Sequence, residues 1–294
     1  MADDSVNKDS VIKNVAPKRP NEYQVALELF ANPDRLKAPI AKPFEGKRVL
    51  VTGGGKGIGK DISLAFALRG ASVAIGCNAN PGMAEATLAQ VRSLSSGVLI
   101  CSDIGTPDGA DYLVDETVRQ LGGLDILVSN AAMQYNESLL ETNIDTFVKT
   151  LNVNARAPFL LMKRAHPYLK ASGAGRVILI SSVHGKRATD FDAGYAVSKG
   201  ALGMLCREAA IEFARDGITV NIIAPGGVVI EGKTGAPKTF SMLRLERARY
   251  LSKYPLGRIG VPRDTAEAAC FLASEEAEHI TGTTLRLDGG TVLL

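Results

Sequence analysis

From Lys47 to the end of the chain, short apolar runs alternate with longer stretches of helical periodicity. The runs occupy 48–52, 72–75, 98–101, 125–129, 176–181, 219–224 and 284–287. They are rich in Val, Ile and Leu and show no clean polar alternation, which is how a strand buried on both faces reads. Between them, apolar positions recur three and four apart over 57–69, 83–94, 108–121, 143–171 and 194–214. Seven strands separated by helices predict an α/β fold, with one doubly wound, parallel seven-stranded sheet carrying helices on both faces.

Residues 1–44 break this rhythm. They hold Pro17, Pro20, Pro33, Pro39 and Pro43, out of 13 prolines in the chain, and little periodicity beyond a short helical pattern over 21–31. The segment reads as a partly disordered N-terminal extension. Residues 45–294 then form one domain, an ordinary size for this class.

Composition narrows the function. The chain is 46% hydrophobic and 22% charged, as soluble globular proteins are. A net charge of +3, without a dense Lys/Arg run, argues against nucleic acid as a partner. No apolar run reaches the ~20 residues that span a bilayer, so no membrane is expected. The acidic, polar start resembles no secretory or mitochondrial leader. Cys77, Cys101, Cys206 and Cys270 form no CxxC pair and no zinc spacing, so no metal is expected. They read as buried reduced thiols, which suits a cytoplasmic protein.

The first run leads into Thr52-Gly53-Gly54-Gly55-Lys56-Gly57-Ile58-Gly59, and a helix follows. Glycines let a backbone turn tightly against a pyrophosphate, and the helix N-terminus offers that anion free N–H groups. This position, after a first strand and before a helix, marks a dinucleotide-binding (Rossmann) turn. Residues 54–60 also read GxxxxGK, but Asp61 stands where a nucleotide-triphosphate loop needs Ser or Thr for magnesium, which disfavours phosphotransfer.

A second constellation lies downstream. Ser182 follows the fifth run, and Tyr195 and Lys199 share a helix face four residues apart. A phenol of pKa ~10 is a poor base at neutral pH, and a nearby ammonium is expected to lower that value. A drop of about two units corresponds to about 2.7 kcal/mol. Tyr195 then exchanges the substrate proton while a nicotinamide handles the hydride. By itself the pairing also fits a surface tyrosine with an i,i+4 lysine.

With these residues the chain resembles the short-chain dehydrogenase/reductase family over about 45–294. The family's TGxxxGxG loop matches Thr52, Gly53, Gly57 and Gly59, and its Asn-Ala-Gly matches Asn130-Ala131 with Ala132 for glycine. Its adenine-contacting acid matches Asp103, and its Pro-Gly turn matches Pro225-Gly226. The resemblance implies a catalytic set of Asn154, Ser182, Tyr195 and Lys199. It implies a cofactor site on Thr52, Gly53, Gly55, Lys56, Gly57, Ile58 and Gly59, with Asn78, Asp103, Ile104 and Asn130. Tyr195, Lys199, Pro225, Gly226 and Val228 complete that site. It departs at Ile230, where members often carry a threonine that binds the nicotinamide carboxamide.

The activity so implied is hydride transfer between a nicotinamide dinucleotide and a ketone or secondary alcohol, as in sugar dehydrogenases or 3-oxoacyl reductases. The alternative is a dinucleotide-binding scaffold or regulator without catalysis. NADP is the favoured cofactor and NAD the alternative. Cys77 holds the place where an NAD site carries an acid for the ribose 2′-OH, and Lys56 resembles the basic residue of NADP-preferring members. A homotetramer is implied through 143–171 and 194–214, and a mobile lid over 227–255. His184, two residues past Ser182, is a candidate pocket residue.

Overall fold

The computed structural model describes residues 42–78, 81–188, 192–230 and 252–294. The helical pattern at 21–31 and most of the expected lid, 231–251, lie outside the described residues.

Strands β1 (Arg48–Thr52), β2 (Ser72–Cys77), β3 (Gly97–Cys101), β4 (Ile126–Ser129), β5 (Arg176–Ile180), β6 (Thr219–Pro225) and β7 (Thr284–Leu287) form one parallel sheet. Its order is β3-β2-β1-β4-β5-β6-β7. The order in which strands are added to the sheet reverses between β1 and β4, and in such sheets ligands bind at the crevice that opens there.

Helices α1 (Gly57–Leu68), α2 (Gly82–Arg92), α3 (Pro107–Leu121), α4 (Ile144–Leu151), α5 (Ala157–Ala171), α6 (Ala193–Ala214) and α7 (Pro262–Ala273) flank the sheet. Two cores result. Leu50, Leu127 and Leu179 pack with α3, α5 and α6 on one face. Val49, Val51, Ile126 and Val128 pack with α1, α2 and α7 on the other. Neighbouring residues of one strand thus bury into opposite cores, which is why these runs show no polar alternation. Each fully buried Leu or Val contributes roughly 1.5–3 kcal/mol over its exposed state.

Local chemistry sets the helix ends. The Thr106 hydroxyl accepts a hydrogen bond from the Gly109 N–H, Pro107 occupies the first turn of α3, and left-handed Gly122 closes it. The Asn143 side chain caps α4 by accepting from the Thr146 N–H at 2.8 Å.

Two expectations change. The stretch 143–171 is not one α-helix: a π-turn at Asn152–Arg156 separates α4 from α5. Pro158 lacks the N–H that would bond back to the Asn154 carbonyl, so the regular ladder cannot run through. Strand β7 is not buried on both faces either. Thr284 and Arg286 are exposed, because β7 is the sheet's edge and only its Leu285 and Leu287 side packs on a core.

Candidate active site

The glycine turn joins β1 to α1. Gly57 has φ 53°, a left-handed conformation that favours glycine. A Cβ on Gly59 would stand 2.1 Å from the Gly53 carbonyl oxygen, so only glycine lets α1 close this tightly on the loop. Lys56 is exposed, occupies the N-cap in extended conformation and donates no side-chain cap, and no acid lies in the first turn of α1. The positive end of the helix therefore carries no acid in its own first turn. Gly55 packs so closely on Ala84 of α2 that a Cβ would collide with it. Ile58 packs on the core beneath the loop, and Ile230 lies against the side of Gly57 where a Cβ would stand.

The ends of β1 and β4 are tied together. Buried Thr52 accepts hydrogen bonds on Oγ1 from the N–H groups of Asn130 and Ala131, both at 2.9 Å. The Asn130 amide donates back to the carbonyls of Thr52 at 3.0 Å and Gly53 at 3.3 Å. Along the same edge, Asp103 is exposed and takes a hydrogen bond from the Gly105 N–H, Asn78 is exposed at the end of β2, and Ile104 is buried in the core. Pro225 ends β6, Gly226 donates to the Leu287 carbonyl, and Val228 bridges to Gly260.

Ser182, Tyr195, Lys199 and Asn154 converge beside this crevice. The Ser182 hydroxyl bonds the Tyr195 phenol and accepts from the His184 N–H. Lys199 is buried at 3% exposure, donates from Nζ to the Ile180 carbonyl at 2.8 Å, and sits 5.5 Å from the centre of the Tyr195 ring. Asn154, in the π-turn, accepts from the Met133 N–H and donates to the Met133 carbonyl, both at 2.8 Å. It also donates to the Ser198 hydroxyl at 3.0 Å, and Ser198 donates to the Tyr195 carbonyl at 2.7 Å. Asn154 thus reaches the tyrosine's backbone through Ser198, a residue that motif reading passes over because its role is set only by the fold.

The electrostatics correct one expectation. Burial raises the Tyr195 phenol above its ordinary range, the Ser182 bond works against that rise, and Asp192 adds to it. The net shift is upward, so the neighbouring Lys199 does not bring the phenol below its ordinary value here. Burial instead pushes the lysine's own ammonium down to about 8. Asp192, three residues before Tyr195, is itself held above the usual carboxylate range, chiefly by burial. Nothing in the sequence marked it, since a β-bridge to Glu137, 55 residues earlier in the chain, joins it to that segment.

The cysteine reading is corrected too. Cys206 and Cys270 are buried and free, but Cys77 and Cys101 are joined in a disulfide at the ends of β2 and β3. They lie 24 residues apart in sequence, so only strand register brings them together. His166 is structural: its Nε2 lies 2.8 Å from an Asp216 carboxylate oxygen, and its ring packs on Phe213. A cavity of about 660 Å³ borders Ser182 and Lys199 from the side of Gly203, Arg207, Arg286 and Leu294. It shares Ser182 and Lys199 with the site, while the glycine turn and Tyr195 do not line it.

Comparison with known proteins identifies the family. Residues 53–292 match the family model described as enoyl-(acyl carrier protein) reductase. The hydroxynaphthalene reductase of Aspergillus fumigatus is 37% identical over 249 residues, covering 82% of this chain and 90% of the relative. The glucose 1-dehydrogenase of Gluconobacter oxydans is 36% identical over 267 residues, covering 88% and 96%. The crystal structure of a dehydrogenase/reductase from Sinorhizobium meliloti 1021 aligns with a TM-score of 0.76 at 31% identity, covering 87% of this chain and 99% of the other. The chain belongs to the short-chain dehydrogenase/reductase family and is an oxidoreductase of CH–OH groups.

Proposed function

We propose that this enzyme transfers a hydride between NADP(H) and a ketone or secondary alcohol, with Tyr195 as the general acid/base. The observation that carries the reading is the meeting of Ser182, Tyr195 and Lys199 beside an uncapped, glycine-lined helix N-terminus. That N-terminus fits a pyrophosphate: its first turn holds no acid, and Gly59 lets the backbone close against it. The turn 52–59 would hold the pyrophosphate. Asn78, Asp103 and Ile104 would flank the adenosine half, Ile104 through its backbone since its side chain is buried. Asn130, Tyr195, Lys199, Pro225, Gly226 and Val228 would flank the nicotinamide half. The bound dinucleotide supplies or accepts the hydride.

In the reducing direction the Tyr195 hydroxyl gives its proton to the substrate oxygen, and in the oxidising direction the phenolate takes it. Ser182, already bonded to that phenol, holds the substrate oxygen beside it. The Lys199 ammonium, charged below about pH 8, stabilises the phenolate as it forms. Asn154 positions Tyr195 through Ser198.

Cofactor choice rests on the end of β2. Cys77 offers no carboxylate to repel a 2′-phosphate, and Lys56 stands exposed at the loop. We further propose a cytoplasmic homotetramer, with 1–44 as an extension outside the catalytic unit.

The test is a panel of ketones, sugars and secondary alcohols assayed with both dinucleotides by nicotinamide absorbance, with Tyr195→Phe alongside. The variant should lose roughly 10²–10⁴ in kcat/KM while still binding NADPH. Near-normal turnover by it, or a tighter complex with NADH than with NADPH, would overturn the tyrosine role or the cofactor choice respectively.

A further inference from the structure

Cys77 and Cys101 are direct register partners on neighbouring parallel strands. Their Cα atoms lie 4.6 Å apart. Adjacent strands sit ~4.8 Å apart by their hydrogen bonding alone, and that spacing falls within the range a disulfide spans. The backbone therefore needs no rearrangement to make or break the bond. Both side chains stand on the β2–β3 face that carries α1 and α2, where Cys77 packs at the margin of the core. Cys101 is exposed and Cys77 half-buried. The other two cysteines are buried, and burial pushes their thiols up to about 11 and about 12, out of the range of thiolate chemistry.

The location gives the pair its meaning. Cys77 ends β2 at the place from which a dinucleotide site reaches the adenosine ribose, with Asn78 next in the chain. Cys101 ends β3 two residues before Asp103. Beyond the pair, the two strand ends are joined by a hydrogen bond from the Ser102 N–H to the Cys77 carbonyl at 2.8 Å.

We propose that Cys77–Cys101 is a reversible thiol–disulfide modification site that sets the affinity of the enzyme for the adenosine half of its dinucleotide; the affinity effect rests on the dinucleotide reading above. In reduction, the thiolate of a small-molecule or protein thiol attacks Sγ of Cys101, the exposed member. The protein S–S bond breaks, and Cys77 leaves as a thiolate and takes up a proton. A second external thiolate attacks the mixed disulfide, freeing Cys101, which is protonated in turn. Two electrons pass to the protein, and one external disulfide is released. Oxidation is the reverse, with a disulfide such as oxidised glutathione as the electron acceptor. Bridged, the pair fixes the strand ends that carry Asn78 and Asp103 and preorganises that half of the site. Reduced, those ends are held by the ladder alone, and two thiols face the ribose edge in place of the bond.

The experiment uses the full chain equilibrated in glutathione buffers of stepped reduced-to-oxidised ratio. Each sample is split. One half is denatured and alkylated, and the labels are counted by mass. The other is titrated with NADPH by nicotinamide fluorescence. The label count should move from four in reducing buffer to two in oxidising buffer. NADPH should bind roughly three- to tenfold more tightly to the oxidised form. In Cys77→Ser/Cys101→Ser, two labels should appear throughout, and affinity should no longer follow the buffer. A label count that stays constant across the series overturns the modification site. Superimposable binding curves for the two redox forms overturn the affinity effect. If neither form binds any dinucleotide, the proposed function fails and takes the affinity effect with it, while the label count still decides whether the pair cycles.

Discussion

Lys199 is the residue on which catalysis and stability pull against each other. Its ammonium is fully buried, bonded to the Ile180 carbonyl, and pushed from 10.5 down to about 8. The folded state therefore binds that proton less tightly than the unfolded chain does. At pH 7 both states are protonated, and the folded one carries a penalty of roughly 3 kcal/mol. As pH rises from about 8 towards 10.5, the folded lysine is neutral while the unfolded one still holds its proton, so the penalty is relieved. Lys199→Met should then be inactive. Relative to it, the wild type should gain Tm between pH 7 and pH 10, measured by thermal unfolding of both proteins at the two values. A Tm difference unchanged with pH would show that the lysine is not strained by burial. The pairing of Tyr195 with Lys199 was legible from four-residue spacing, because helix periodicity alone puts them on one face. The direction of their pKa values was not, since it depends on burial and on Asp192, which a β-bridge ties to Glu137.

At the scale of elements, the π-turn Asn152–Arg156 is the device that aims Asn154 inward. Its side chain satisfies both backbone groups of Met133 in the loop after β4 and reaches Ser198 on α6. Three elements are locked by one amide. Asn154→Ala leaves the Met133 N–H and carbonyl without that partner in a part-buried site, at a cost of about 1–3 kcal/mol. It should lower Tm and also reduce kcat more than it raises KM, because Tyr195 loses its anchor through Ser198. Steady-state kinetics beside thermal unfolding check this, and a variant with lowered Tm but unchanged kcat would make Asn154 structural only. The strands were legible because each apolar run must serve two cores at once, and the glycine turn because its conformations and close approaches admit few other residues. The π-turn was not, since Asn-Val-Asn-Ala-Arg keeps helical periodicity and the break comes from Pro158 further on. The Cys77–Cys101 pair was equally hidden, because register, not sequence spacing, makes them neighbours.

At the scale of the whole molecule, α6 has one apolar face too many. Leu202, Cys206, Ala209, Ala210 and Phe213 fill the core beneath the sheet. Seven residues apart along its other side, Val197, Met204 and Ile211 are 52%, 56% and 69% exposed in the single chain. Ile144 and Val148 on α4 and Phe159 on α5 are exposed as well. Exposed Arg207, Glu208 and Glu212 share the outer side of α6 with these residues, and apolar groups clustered in this way on a surface mark a contact site. On the proposed oligomer, a second copy of the same chain related by a two-fold axis would cover a patch of this kind and give a closed assembly. Met204→Glu/Ile211→Glu places two carboxylates on that stripe without touching Ser182, Tyr195, Lys199 or the core side of α6. Light scattering at micromolar concentration should give an oligomer mass, four chains on the proposed reading, for the wild type and a smaller one for the variant. The variant should keep its circular dichroism spectrum and bind NADPH, since the glycine turn lies on another part of the chain. A wild-type mass equal to one chain would refute the assembly, and an unchanged mass in the variant would move the interface off α6.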